Sequence, residues 1–149
     1  MSTTETDVIV SADPIQAVRA FFERLTRNCA AVDYDATEPL FAHDVASFGT
    51  KARIVVGLAP LRREQWEGIW PNISDFRIAL DQIHARGDAS FAWGMAPWTS
   101  TGYDPDGRPF ERPGRATVIM ERRDGRWLAV HTHFSLVPGI PATTHGRRG

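Results

Sequence analysis

The chain is poor in cysteine, in net charge and in long apolar segments, and each shortage excludes a class of protein. Its 149 residues contain a single cysteine, Cys29, so no internal disulfide can form and core packing is the expected role of this thiol. The formal net charge is only -1, which gives no field to attract nucleic acid or an anionic membrane. No apolar run reaches the length of a membrane span. We therefore expect no nucleic-acid and no membrane partner.

The two ends of the chain are predicted to be accessory segments. The N-terminal residues lack the basic stretch of a signal peptide, and their apolar run is only Val8–Val10. With the single cysteine, this predicts a cytoplasmic location. We expect residues 1–12 to be a flexible leader, 13–138 to be one domain and 139–149 to be a flexible tail.

Helical periodicity dominates the first half of the domain. Asp13, Pro14 and Gln16 form a helix start, with an N-cap, a first-turn proline and a capping-box partner. Apolar residues then recur every three or four positions as far as Cys29, which predicts one long amphipathic helix. Two short helices are expected near residues 35–42 and 60–69.

From Ser74 onward the apolar period changes to two, which is typical of strands. Turn sequences rich in Gly, Asp and Pro separate four alternating segments, so the pattern predicts a four-stranded antiparallel meander. Helices followed by a meander indicate one α+β domain, in which a curved antiparallel sheet wraps around one long and two short N-terminal helices.

The last predicted hairpin, residues 114–135, carries most of the candidate chemistry. An Asp-Gly turn sets its register. Strict alternation from that turn places polar side chains together on one face, which we expect to line a pocket. These side chains are Arg115 and Thr117 on one strand and His131, His133 and Ser135 on the other.

His131 and His133 are the candidate catalytic residues, together with Arg115. An imidazole titrates near neutral pH and serves as acid or base, while a guanidinium orients an acidic substrate or stabilises an oxyanion. This set favours an anionic or enolisable ligand. The alternative is a structural one, in which the same groups satisfy each other and nearby backbone carbonyls.

A metal site is not predicted at the His-x-His pair. Two imidazoles on one side of a strand can chelate, but a catalytic centre needs at least one more protein ligand. Residues 134–138 contain no Glu or other ligand. His43, His84 and Asp44 could join only through tertiary contacts that the sequence does not show.

Thirteen of the aromatic residues are tryptophan or phenylalanine, and most are expected in the core. Some fall on elements that should border a pocket, although Trp66 and Trp70 could equally form a packing stripe. The candidate substrate-binding residues are Thr117, Ser135, Trp93, Met95, Trp66, Trp70 and Phe48.

The order of elements and the motifs G-R-x-T, D-G-x-W and H-x-H-F-S resemble the nuclear transport factor 2-like superfamily, most closely its SnoaL-like branch. R-R-D-G-x-W followed by V-H-x-H is also similar to the association domain of calcium/calmodulin-dependent kinase II. The resemblance implies a conical half-barrel whose mouth opens to an apolar pocket between the helices and the concave sheet face. It also implies a homodimer.

The resemblance argues against steroid-type isomerisation. The catalytic carboxylate of the ketosteroid isomerase relatives would fall at Gly49 and their tyrosine at Phe21, so both the base and the hydroxyl donor are missing. The late strands also lack the acid that SnoaL-type cyclases use.

We therefore expect a SnoaL-like protein that binds a small hydrophobic or anionic molecule without a cofactor. One hypothesis is a cofactor-free isomerase, cyclase or lyase that acts on a hydrophobic carbonyl or polyketide-like metabolite with its pocket histidines. The alternative is a non-catalytic ligand-binding or oligomerisation domain.

Overall fold

The computed structural model of the protein describes residues 8–50 and 53–146. Helix α1 spans Pro14–Ala31 and begins as predicted, because the Asp13 carboxylate accepts a hydrogen bond from the backbone N–H of Ile15 at 2.9 Å. It ends at Val32, which takes a left-handed φ of 53°. The buried face of the helix consists of Ala17, Val18, Phe21, Phe22, Leu25, Asn28 and Cys29.

Two further helical segments follow, both irregular. Helix α2 spans Tyr34–Thr37 and passes into a 3-10 turn at Glu38–Leu40, so the second helix ends before the predicted Ala42. The third segment runs from Leu58 to Asn72 in four successive pieces. These are α3 at Leu58–Leu61, a π-helical turn at Arg62–Trp66, α4 at Glu67–Ile69 and a 3-10 turn at Trp70–Asn72.

Within the described residues, seven strands form one curved sheet. They are β1 Phe41–Phe48, β2 Val55–Val56, β3 Ser74–Ile78, β4 His84–Gly87, β5 Phe91–Tyr103, β6 Pro109–Arg123 and β7 Arg126–Leu136. Their order is β2-β1-β7-β6-β5-β3, with β4 also paired to β5. All neighbours are antiparallel except β1 and β7, which are parallel. The predicted α+β class and curved antiparallel sheet are confirmed, and the 3-10 turn Leu80–Gln82 divides the first predicted meander strand into β3 and β4.

Helix α1 lies in the concavity of the sheet against β3, β4 and β5. The approach is closest at Gly94, where a Cβ atom would overlap the side chain of Val18. The neighbouring inward residues Ala92 and Ala96 are also small and buried. This part of β5 therefore carries small residues because the helix occupies the space that larger side chains would need.

A bulge in β7 reverses the faces that strict alternation predicts. Ile119 of β6 pairs with His131, but the next residue, Met120, pairs with Ala129, so Val130 is an extra residue in β7. Before the bulge Ala129 faces the core, whereas after it Thr132 is the buried residue. Side chains at His131 and beyond are therefore shifted by one position relative to the prediction from the turn.

The described part of the expected leader is held against the domain. Ile9 is 2% exposed, and its carbonyl accepts a hydrogen bond from the backbone N–H of Trp127 at 2.8 Å. The Trp127 indole donates to the carbonyl of Ser11 at 2.8 Å. Ile9 and Ser11 thus contact β7 through their backbone carbonyls. Flexibility of the leader stays a prediction, and residues 1–7 lie outside the described part of the chain.

The described part of the expected tail is held in the same way. The Thr144 hydroxyl accepts from the backbone N–H of Tyr103 at 2.8 Å and donates to the carbonyl of Asn72 at 2.6 Å. His145 donates its backbone N–H to the carbonyl of Tyr103 at 2.8 Å. Thr144 and His145 thus join the tail to Tyr103 and Asn72. Flexibility of the tail stays a prediction, and residues 147–149 lie outside the described residues.

Candidate ligand pocket

A cavity of about 150 Å³ lies between the helical segment Leu58–Asn72, helix α1 and the concave face of the sheet. An apolar cavity of this size accommodates a benzene-sized ligand. Nine apolar or aromatic side chains form most of its wall: Leu25, Phe41, Trp66, Ile69, Trp70, Ile73, Phe76, Trp98 and Phe134. Polar or thiol groups come from Cys29, Thr50, Glu64, Gln65, Arg112 and Thr132, and two glycines complete the lining, Gly49 and Gly68.

Trp66 and Trp70 form the helical wall of the cavity. Their rings stack with a centroid separation of 5.3 Å and an interplanar angle of 16°. Both were substrate-binding candidates in the sequence, and both line the cavity. Whether they contact a ligand stays a prediction.

Arg62 fastens this helical wall to the neighbouring helices. Its guanidinium donates to Asp35 at 2.8 Å, to Glu67 at 3.0 Å and to Glu38, and it lies 5.2 Å from the centre of the Tyr34 ring. The hydrogen bonds from Arg62 to these carboxylates raise the pKa of the guanidinium above its usual range. Arg62 thus joins three carboxylates, which lie on α2, on the following turn and on α4.

Arg112 brings a buried positive charge to the sheet side of the cavity. Arg112 is 1% exposed. One terminal nitrogen donates to Thr50 Oγ1 at 3.1 Å and the other lies 3.5 Å from Ser100 Oγ, at the limit of a hydrogen bond. The Nε atom has no hydrogen-bond partner among the described residues, and Cζ lies 5.6 Å from the ring centre of Trp98.

No carboxylate in the described part of the chain forms an ion pair with Arg112. Burial raises the pKa of the nearby Cys29 thiol to about 12, so this group is neutral near pH 7. The other acidic group of the lining, Glu64, has a side chain 48% exposed and lies 3.9 Å from Arg63. Burial lowers the pKa of Arg112 from its usual range, and the described residues leave this cation without a counter-ion.

Several hydrogen-bond donors in the lining of the cavity are unsatisfied. Among the described residues, five buried side-chain nitrogens lack a partner, and three of these belong to the lining. The five residues are Asn28, Gln65, Trp98, Arg112 and Arg122. Because buried polar groups are nearly always paired, a surplus of donors in one cavity indicates a ligand that supplies acceptors.

Gly49 lies in the lining at the position where the resemblance implies a carboxylate. A Cβ atom there would lie 2.6 Å from Cδ of Gln65, so the Gln65 carboxamide occupies the space a longer side chain would need. An amide is not a general base. Phe21, the counterpart of the tyrosine, is fully buried in the core. This geometry agrees with the argument against steroid-type isomerisation, which stays a prediction.

The remaining sequence candidates meet on the opposite, outer face of the sheet. Met95, Thr117, His133 and Phe48 pair in turn across β5, β6, β7 and β1 and form one row, which we call the outer row. Met95 is 45% and Phe48 39% exposed. None of the four residues lines the cavity.

Two flanking rows on the same outer face hold the other candidates. Arg115 pairs with Ser135 on one side of the outer row, while Ile119 links Trp93 to His131 on the other. The assignment of these side chains to the pocket is therefore corrected. For the residues of β7 the reason is the bulge at Val130, and for those of β5 it is the small-residue contact with α1.

Two of the polar side chains on the outer face, His131 and Arg115, form local hydrogen bonds. His131 Nδ1 lies 2.8 Å from the carbonyl oxygen of Ala46, so the Nδ1–H tautomer donates to the backbone. Arg115 donates to Ser135 Oγ and to the carbonyl of Leu136, both at 3.3 Å. These contacts match the structural alternative for the polar hairpin. A catalytic role for His131, His133 or Arg115 stays a prediction.

Sequence reasoning missed Arg112, although a signal was present. The residues of β6 that face inward include Gly114, Ala116, Val118 and Met120, and Arg112 is in phase with them. A charged residue in phase with a buried apolar series is the pattern that could have identified it.

The described residues contain neither a metal-binding cluster nor a membrane-spanning helix. No group of three or more His, Cys, Asp or Glu side chains there is arranged to hold a metal ion. Within the same residues, no helix has both the length and the apolar character that a membrane crossing requires.

Solved structures of other proteins share the fold of this chain. A protein of unknown function with a cystatin-like fold from Nostoc punctiforme superposes with a TM-score of 0.71 at 15% identity, covering 91% of this chain and 99% of its own. An NTF2-like protein of unknown function from Pseudomonas putida gives 0.68 at 21%, covering 80% and 84%. The association domain of calcium/calmodulin-dependent kinase II from C. elegans gives 0.65 at 15%, covering 81% and 94%. The fold is therefore that of the NTF2-like proteins.

The family follows from the sequence itself. The model of the SnoaL-like domain matches residues 18–139, and this chain belongs to that family. No match was found among curated proteins.

Proposed function

We propose that the protein binds a small molecule in the cavity between the helical segment Leu58–Asn72 and the concave sheet face. The observation that carries this proposal is an apolar, aromatic cavity of about 150 Å³ with a few buried polar groups. Such a combination is typical of ligand sites, in which apolar walls provide affinity and polar groups set orientation. Membership of the SnoaL-like family supports it.

Catalysis on a hydrophobic carbonyl by a cofactor-free isomerase, cyclase or lyase stays a hypothesis. In this cavity Arg112 could stabilise a developing oxyanion. The carboxylate available as a base among the described lining residues is Glu64, not His131 or His133. A cytoplasmic location likewise stays a prediction.

Gly68 offers a direct test of binding. It lies in the lining on α4, and a Cβ atom there would have no neighbour within 4 Å. Gly68 is an exposed residue of this lining, so Gly68→Phe should place a ring at the mouth of the cavity without disturbing its wall and should obstruct entry of a ligand, while Gly68→Ala is the matched control. Titration with benzyl alcohol, followed by tryptophan fluorescence from Trp66, Trp70 and Trp98, should saturate for the wild type and the control. Binding that persists unchanged in Gly68→Phe would place the site elsewhere.

A second candidate function is self-association through the outer face. The observation that favours it is the outer row, in which Met95 and Phe48 expose apolar area beside His133. One structural neighbour is itself an association domain. We infer a homodimer in which the outer rows of two copies pack together.

Light scattering coupled to gel filtration tests the homodimer. Met95→Glu puts a charge in the outer row of each copy and should shift the protein to monomer. Ile15→Glu is the control, because Ile15 is similarly exposed, at 49%, but lies on α1. A wild-type monomer at micromolar concentration, or equal behaviour of the two variants, would reject this interface.

A further inference from the structure

We propose that the ligand of the cavity is a small monocarboxylate with a flat apolar body, and that its carboxylate binds Arg112. This inference rests on the proposed binding function of the cavity. The side chains around the cavity determine the charge, the number of acceptor atoms and the shape of the ligand.

The charge of the ligand follows from Arg112. A buried ion is stable when it is paired, yet no carboxylate of the described residues pairs with this guanidinium. Arg112 lies on β6, between β5 and β7, so its backbone cannot move to bring the charge into solvent. An anion that enters the cavity would supply the missing counter-charge.

A single negative charge matches the site better than two. Arg112 is the one cationic side chain of the described lining, and the other unpaired donors, Trp98 Nε1 and Gln65 Nε2, are neutral. A phosphate dianion would carry an uncompensated charge into an apolar cavity. A carboxylate brings one charge and two acceptor oxygens, which suit the guanidinium and the unpaired N–H groups of the same lining.

The orientation of the guanidinium is set before any ligand binds. Thr50 and Ser100 contact its two terminal nitrogens, and Trp98 lies beneath it at 5.6 Å. Nε is the nitrogen with no protein partner. A planar group held in this way binds a carboxylate with little loss of rotamer freedom.

The rest of the cavity selects the body of the ligand. The stacked rings of Trp66 and Trp70 form one wall, and Phe76 and Phe134, with centroids 6.3 Å apart, form another. Flat walls and a volume of about 150 Å³ favour a single aromatic or similarly planar ring. Benzoate is therefore the simplest probe of the proposed ligand class.

Calorimetric titration with benzoate and with its neutral analogue benzyl alcohol tests the proposal. Wild-type protein should bind benzoate at least about tenfold more tightly than benzyl alcohol, because a charge-assisted hydrogen bond is added. Arg112→Met should lose this preference and retain benzyl alcohol binding. Arg108→Met is the matched control, since Arg108 is an exposed arginine near the start of the same strand, and it should retain the preference.

Two more variants keep the test valid if Arg112→Met does not fold. Arg112→Lys retains the charge but loses the planar fork, and its preference for benzoate should be smaller than that of the wild type. Trp98→Phe keeps an aromatic ring, smaller than indole, and removes the N–H group, so it should weaken the binding of benzoate more than that of benzyl alcohol.

The outcomes separate this proposal from the proposed function. Equal binding of benzoate and benzyl alcohol by the wild type would overturn the carboxylate site and leave the apolar cavity intact as a ligand site. Failure of both to bind would overturn the two together. Tighter binding of inorganic phosphate than of benzoate would also overturn the monocarboxylate.

Discussion

Replacing Arg112 by methionine should stabilise the unliganded protein. Methionine has a similar length, fills the same space with an apolar chain and removes the buried charge. The usual expectation for a fully buried side chain on a central strand is destabilisation. The opposite sign is expected here because the guanidinium is 1% exposed and has no counter-ion among the described residues.

The magnitude follows from the contacts of Arg112. The variant loses the hydrogen bond to Thr50 at 3.1 Å, about 1.5 to 3 kcal/mol, and the contact with the Trp98 ring, about 1 kcal/mol. It avoids the burial of an unpaired ion, which costs several kcal/mol, and even the replacement of buried ion pairs by apolar residues stabilises other proteins by about 1 to 4 kcal/mol. For a chain of this size we expect the thermal midpoint to rise by about 3 to 10 °C.

Differential scanning calorimetry of the two proteins, with and without benzoate, provides the assay. Benzoate at about 100 times its Kd should stabilise the wild type by about 2.7 kcal/mol and have a much smaller effect on Arg112→Met. A midpoint lower by several degrees in the unliganded variant would refute the reasoning, since it would mean that the charge is already compensated in the folded protein.

Other predictions concern groups around the cavity and the rim of the sheet. Cys29 should react slowly with a thiol reagent at pH 8 in the native state and rapidly after unfolding, because burial raises its pKa to about 12. Arg62→Met should lower the free energy of unfolding by about 1 kcal/mol, and the difference should shrink in about 1 M NaCl, as measured by urea denaturation. The hydrogen bond from Arg123 lowers the pKa of Asp44 below its ordinary value of 3.8, so the stability it contributes is present above that value and is lost as the pH falls further. An NMR titration should show this low pKa, with a rise towards 3.8 in Arg123→Gln.

Local sequence signals were sufficient for the start of α1 and for the turn of the last hairpin. Asp13 and Pro14 start a helix because capping is decided by neighbouring backbone groups, and the helix begins where they predict. The tight turn at Asp124 and Gly125 likewise requires positive φ angles, which both residues have. Such features depend on a few adjacent residues and can be predicted from the sequence.

The orientation of the candidate site depended on tertiary packing and could not be predicted in this way. The bulge at Val130 adds one residue to β7 and turns His131 and His133 to the outer face, although their spacing suits an inner one. On β5, the proximity of α1 at Gly94 requires small inward residues, so Trp93 and Met95 point outward. Strict alternation along the strands had predicted that these side chains face the pocket.

A crystal structure of the protein with 4-bromobenzoate would test the central claim most directly. Anomalous difference density should place the bromine among the aromatic side chains of the cavity, with the carboxylate within about 3 Å of the Arg112 guanidinium. Density for the ligand on the outer face beside His133, or in the cavity with its carboxylate directed away from Arg112, would contradict the account.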